Sequence, residues 1–248
     1  MSDSIGSMTI NLKKFKQPEA LADHVSELLM NMIGDTSSYP FHLAISGGST
    51  PNLLFSTLAA KYADSELWQK THFWWVDERM VSPADPESNY GKALQYLFSK
   101  ITIPQKNIHR IRGEKDPVIE AEDYAQQIKA ELKMKDGWPS FDLILLGMGE
   151  DGHTASIFPG QMDLLLSDHL CVVACHPVSF QKRITLTGNV INNAQKIIFM
   201  VTGANKAERL SEIRLNGEKG KLLPASHIQP VGGELFWYTD ESAAQLLK

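Results

Sequence analysis

Short apolar runs alternate with amphipathic stretches along this chain, and glycine or proline marks most of the changes. Pro18–Ile33 sets Leu21, Val25, Leu28, Leu29 and Met32 at the three-to-four spacing of one helix face. Further helices are predicted over Pro51–Lys61, Asn89–Lys100, Pro117–Lys135 and Ala204–Asn216. Extended runs fall at Phe41–Ile45, His72–Val76, Phe141–Leu146, Leu170–Cys175, Arg183–Thr187, Lys196–Val201 and Glu234–Thr239. Several are almost wholly apolar, as strands buried on both faces are. The β-α alternation predicts an α/β fold: a doubly wound, mostly parallel sheet with helices on both faces, Rossmann-like and single-domain. Residues 1–8 are expected to fray, and 9–248 to form the domain. Gly113–Pro117 is the best place for a boundary if there were two domains.

Arg183-Ile184-Thr185-Leu186-Thr187 breaks the apolar rule. It alternates strictly, with Arg183, Thr185 and Thr187 on one face and Ile184 and Leu186 on the other. Such a strand lines a polar cleft or stands at a solvated edge.

With 248 residues, 43% of them hydrophobic, the chain can bury a full core without a disulfide or metal staple. A net charge of −5 and the lack of a basic stripe argue against nucleic acid or an anionic membrane as partner. The polar stretch Met1–Met8 has no signal-peptide core and no apolar run reaches bilayer length, so a cytoplasmic protein is expected. Cys171 and Cys175, the only cysteines, share one apolar run and are expected as buried thiols. His24, His42, His109 and His227 show no partner pattern, and no Cys/His spacing suits zinc. No metal is expected.

Three polar loops follow predicted strands, and so share the rim where open parallel sheets hold ligands. The first, Gly147-Met-Gly-Glu-Asp-Gly-His-Thr-Ala-Ser156, places His153 beside Asp151. A histidine there can move a proton near neutral pH, and a neighbouring carboxylate can orient it. Gly147-x-Gly149-x-x-Gly152 also matches the dinucleotide fingerprint. Glu150 and Asp151 would repel a pyrophosphate, and Pro159-Gly160 comes too soon for the helix that would hold one. A nucleotide cofactor is therefore not expected.

The second loop, Ser46-Gly47-Gly48-Ser49-Thr50-Pro51, frees backbone N–H groups at a helix start, where a phosphate binds well. Ser49 or Thr50 can cap that helix. With no Gly-Lys-Ser/Thr following, it is not a Walker loop, and a monophosphate suits it. The third, Asp77-Glu78-Arg79, supplies an arginine whose planar fork can grip phosphate oxygens. Ser88 or Asn89 would cap the helix beyond it or touch substrate.

These loops, with Arg183–Thr187 and Thr202-Gly-Ala-Asn-Lys206-Ala207, closely resemble the 6-phosphogluconolactonases of the glucosamine-6-phosphate isomerase/deaminase superfamily. The likeness runs in order from Ala44 to Tyr238. It implies a cofactor-free cytoplasmic enzyme whose partner is a small phosphorylated sugar lactone, opened to 6-phosphogluconate in the oxidative pentose phosphate pathway. A monomer is the expected form. The resemblance makes His153 the base that activates water and Asp151 its partner. It assigns Ser46, Gly47, Gly48, Ser49, Thr50, Asp77, Arg79, Arg183 and Lys206 to the substrate and its phosphate. Many relatives carry Pro-Lys-Pro-Pro before the arginine strand; here the stretch is His176–Lys182, so Lys182 or Lys206 would replace the missing charge. The sister deaminases carry a glutamate five residues after the histidine, whereas position 158 is phenylalanine. A sugar-phosphate sensor would need a DNA-binding segment before Phe41, and no basic recognition face precedes that residue.

Overall fold

The computed structural model describes residues 11–36 and 40–247, so the expectation for 1–8 lies outside the described residues. The chain runs β1 (Asn11–Phe15), α1 (Pro18–Asp35), β2 (Phe41–Ile45), α2 (Ser49–Tyr62), β3 (Thr71–Trp75), β4 (Asp77–Arg79), α3 (Asn89–Ala93) and β5 (Ile108–His109). It continues through α4 (Pro117–Glu131), β6 (Met134–Lys135), β7 (Trp138–Pro139), β8 (Leu143–Leu146), β9 (Cys171–Cys175) and β10 (Lys182–Leu186). Then come α5 (Gly188–Asn192), β11 (Lys196–Val201), α6 (Ala207–Leu215), α7 (Glu218–Lys221) and β12 (Glu234–Asp240).

Seven strands form one parallel sheet in the order β1-β12-β11-β8-β2-β3-β5. β2 and β8 sit at its middle, and every residue of both is buried. On β3 the pleat divides the aromatics between two layers. Phe73 and Trp75 pack against Phe98, at 5.0 and 5.9 Å between ring centroids. Trp74 points the other way, toward Tyr124 of α4 and Phe141. Helices therefore cover both faces, as the alternation predicts.

β3 ends at Trp75. The Tyr124 hydroxyl accepts from the Trp75 N–H and donates to the Trp75 carbonyl. The chain then enters a second, antiparallel sheet, β4-β10-β9. Asp77-Glu78-Arg79 is thus a strand rather than the expected loop, and β10 is the centre of that sheet rather than a solvated edge.

Other departures have local causes. β1 was not evident because Asn-Leu-Lys-Lys-Phe reads as a polar stretch, yet charged lysines suit the sheet's exposed edge. The helix expected to reach Lys135 stops at Glu131, where a β6-β7 hairpin turns through Asp136 and Gly137, both at positive φ. The helix from Asn89 widens to π-helical turns over Leu94–Phe98. Cys171 is buried as expected, but Cys175 is exposed at the strand end. No helix among the described residues is long and apolar enough to cross a membrane.

The histidines without a sequence pattern acquire one in space. His42, His72 and His109 lie on neighbouring strands around Trp74, whose indole stacks 3.8 Å from His109 and donates to His42 Nδ1 at 3.1 Å. His72 Nδ1 and His109 Nε2 are 3.0 Å apart. Burial and mutual repulsion push His42 down to about 4 and His109 to about 3, from 6.5, and burial also lowers His72. A histidine whose folded value is depressed stays neutral while the unfolded chain takes up its proton. Stability is therefore expected to fall as pH drops from about 6.5 toward 4, by at most about 1.4 kcal/mol per pH unit per histidine. Urea midpoints at pH 7 and pH 5 check this. The midpoint should fall in the native protein and fall less in His109→Phe, which keeps a ring for Trp74; equal midpoints in the native protein would contradict it.

Candidate active site

β2 and β8 are neighbours, yet the chain leaves them in opposite directions. From β2 it turns through α2 to β3 on one side; from β8 it passes through the second sheet to β11 on the other. That parting opens a crevice at the carboxyl ends, the usual ligand seat of such sheets.

Ser46, Gly47 and Gly48 form one wall. The Ser46 hydroxyl donates to the Leu145 carbonyl at 2.9 Å, tying the ends of β2 and β8 together. Gly48 has a φ of +121° and precedes α2 as its cap; neither Ser49 nor Thr50 makes the expected side-chain cap, because the helix already begins at Ser49. Those two residues line an adjoining recess with Lys206, and Thr50 Oγ1 bonds Thr202 Oγ1 at 2.6 Å. Gly47 lies under Asn89, whose Oδ1 would stand 1.8 Å from an added Cβ.

The second sheet forms the opposite wall. Its register pairs Arg79 with Arg183 and Asp77 with Thr185, which sets two guanidinium groups side by side over the cleft. Arg79 Nη1 donates to the Glu87 carbonyl at 2.5 Å. The Nε–H groups of both arginines are buried without an acceptor among the described residues. Burial lowers the Arg183 guanidinium from its ordinary value, opposed by Asp77. Asp77 itself accepts from Ser156 Oγ at 2.6 Å, and Arg183 Nη1 approaches the same hydroxyl at 3.5 Å.

Glu78 points away from the cleft and holds this wall in place. Its buried carboxylate accepts from the N–H groups of Arg79, Asn89 and Tyr90 and from Ser88 Oγ. Burial raises its proton affinity, and the three backbone donors oppose that rise. Ser88 caps the next helix through the Gly91 N–H, while Asn89 faces the cleft and donates to the Asp77 carbonyl.

The loop after β8 forms the floor. His153 Nδ1 lies 2.5 Å from Asp151 Oδ1, which also accepts the His153 N–H at 3.1 Å. Burial pushes the Asp151 carboxyl up, but its bonds to His153 outweigh this and hold it below its ordinary value. Gly149 permits the pair: an added Cβ would stand 2.1 Å from His153 Nδ1 and 2.6 Å from Asp151 Oδ1. The His153 ring rests on buried Phe158, centroids 4.7 Å apart. With Nδ1 engaged by Asp151, Nε2 is the nitrogen left to take a proton. No α-helix starts in this loop, so the Gly147-x-Gly149-x-x-Gly152 glycines serve a turn and not a dinucleotide cradle.

Lys206, from the turn after β11, completes the ring of charge and lines both the cleft and the recess. Burial lowers its ammonium, opposed by Glu150 and Asp151. Lys182 is exposed and alternates away from Arg183, so Lys206 alone of the two candidates reaches the site. Ser46, Gly47, Gly48, Asp77, Arg79, His153, Arg183 and Lys206 therefore meet, and Asp151 is bonded to His153. Asn89, Ser156 and Phe158 complete the constellation; in the sequence, Asn89 reads as a helix cap or a substrate contact, and Ser156 carries no distinguishing signal. Among the described residues no cluster of His, Cys, Asp or Glu could hold a metal ion.

A family model described as glucosamine-6-phosphate isomerases/6-phosphogluconolactonase matches residues 16–237. Over 211 residues the chain is 47% identical to a 6-phosphogluconolactonase of Aggregatibacter actinomycetemcomitans, covering 85% of this chain and 89% of that protein. It is 46% identical over 213 residues to the 6-phosphogluconolactonase of Haemophilus influenzae, with 85% and 89% covered. The crystal structure of devB protein superposes with a TM-score of 0.91 at 43% identity, covering 97% of this chain and 100% of the other. The chain belongs to the glucosamine-6-phosphate isomerase/6-phosphogluconolactonase family.

Proposed function

We propose that this cleft hydrolyses 6-phosphogluconolactone to 6-phosphogluconate, with His153 activating the attacking water. The observation that carries this reading is the meeting of one Asp-oriented histidine with three cationic side chains, Arg79, Arg183 and Lys206, around a glycine-lined crevice. Three cations suit a phosphorylated anion. The unpaired Nε–H groups of the two arginines favour an acceptor of that kind.

A lactone is an activated ester, and one activated water can open it. His153 Nε2 takes a proton from water as its oxygen attacks the carbonyl carbon. The carbon–ring oxygen bond then breaks, and His153 returns the proton to the departing oxygen. The new carboxylic acid ionises at neutral pH and releases one proton. Asp151 keeps Nδ1 protonated and stabilises the imidazolium that forms transiently. Asp77 and Ser156 hold Arg183 in place. Phe158 fills the space against His153, leaving no carboxyl there for the sister deaminase chemistry.

Proton release on adding fresh lactone, corrected for spontaneous opening, tests the reading. The native protein should accelerate it, and His153→Ala should lower kcat by about 10²–10⁴-fold with little change in KM. Arg79→Ala should instead raise KM by about 10-fold or more, the loss of a charge-assisted bond. No acceleration by the native protein would refute the activity, and full kcat in His153→Ala would refute the base. Gly149→Ala should fold normally yet lose kcat while keeping KM, because its methyl group displaces the His153–Asp151 pair. A wild-type kcat in that variant would show that the pair's geometry does not limit the reaction.

A further inference from the structure

The hairpin between β9 and β10 carries a histidine that the mechanism leaves unused. His176 lies against the edge of Phe158, centroids 5.1 Å apart. That same buried ring meets His153 at 4.7 Å and the Arg183 guanidinium at 5.5 Å. One phenyl group thus gathers the proposed base, a phosphate-binding arginine and His176. The electrostatic neighbours of His176 are the cleft's own charges: Arg183, His153, Asp151 and Arg79.

The ring's tautomer is set by the turn it supports. Nδ1 accepts the N–H groups of Val178 at 3.2 Å and Ser179 at 3.1 Å. A nitrogen that accepts two N–H groups carries no proton, so in the neutral ring the hydrogen is on Nε2. Burial and Arg183 hold the ring below its ordinary proton affinity, which keeps it in this neutral form. The turn is anchored further by Gln181, whose side chain donates to the Glu87 carboxylate beyond β4, and by Gln161, which bonds the Cys175 backbone. His176 is therefore an N–H donor of fixed tautomer on an anchored turn, on the side of the cleft that holds both arginines.

We infer that His176 is a further substrate-binding residue, whose Nε2–H donates to an oxygen of the phosphorylated sugar beside Arg79 and Arg183. This rests on the proposed lactonase reading. It supplies a neutral donor where a further positive charge would crowd two guanidinium groups.

Two substitutions separate binding from turn support. His176→Asn keeps an acceptor where Nδ1 stands, so the turn holds, but it has nothing in place of Nε2–H. His176→Gln extends an amide N–H to the Nε2 position and loses the turn's acceptor. His176→Asn should raise KM by about tenfold, the loss of one hydrogen bond to a charged group, with kcat and the thermal midpoint little changed. His176→Gln should recover most of that affinity. A native KM in His176→Asn, or a KM in His176→Gln no better than that of His176→Asn, would overturn the inference and leave His176 as turn support. A native protein without lactonase turnover would instead overturn the functional reading, and the inference with it.

Discussion

The site depends on a constraint of chain path: β2 and β8 pair in parallel, and the chain leaves them toward opposite sides of the sheet. Two loops that part cannot fill the space between their strand ends. The glycines at 47 and 48 and at 147 and 149 keep that space open, and Ser46 fastens the two strand ends across it. Where β3 reaches Tyr124, the chain is diverted into the second sheet, and this diversion brings the arginines over the opening.

Gathering like charges is costly, and the surrounding structure limits the cost. Asp77 faces Arg183 through Ser156, and Glu150 and Asp151 lie near Lys206. Glu78 is buried where it can bind no substrate, but four donors surround it and fix the segment from Arg79 to Tyr90. A buried carboxylate with that many donors is well satisfied. The wall is thereby held by its own hydrogen bonds, which suits the proposed binding of a small anion in a fixed orientation.

The two glycine loops and the charged triplet Asp77–Arg79 stood out in the sequence because each follows a strongly apolar strand and departs from it in composition. His153 beside Asp151 and the glycines around them needed no structure to be noticed. What could not be read was the second sheet. Asp77-Glu78-Arg79 is too short and too charged to look like a strand, and only its antiparallel partner makes it one. Ser156 was hidden, and Asn89 stayed open between cap and substrate contact, because the contacts that place them are with Asp77 and Gly47, more than forty positions away. The His42–His72–His109 cluster is likewise a product of strand order, joining three residues with no common spacing.

The proposed reaction requires Asp151 to hold His153 with its proton on Nδ1, so that Nε2 is free to take one from water. The most direct test is the ¹⁵N spectrum of the imidazole nitrogens of His153, assigned by its loss in His153→Ala and recorded near neutral pH. An N–H at Nδ1 and an unprotonated Nε2 are expected, with the preference weakened in Asp151→Asn. A neutral ring carrying its proton on Nε2 would contradict it.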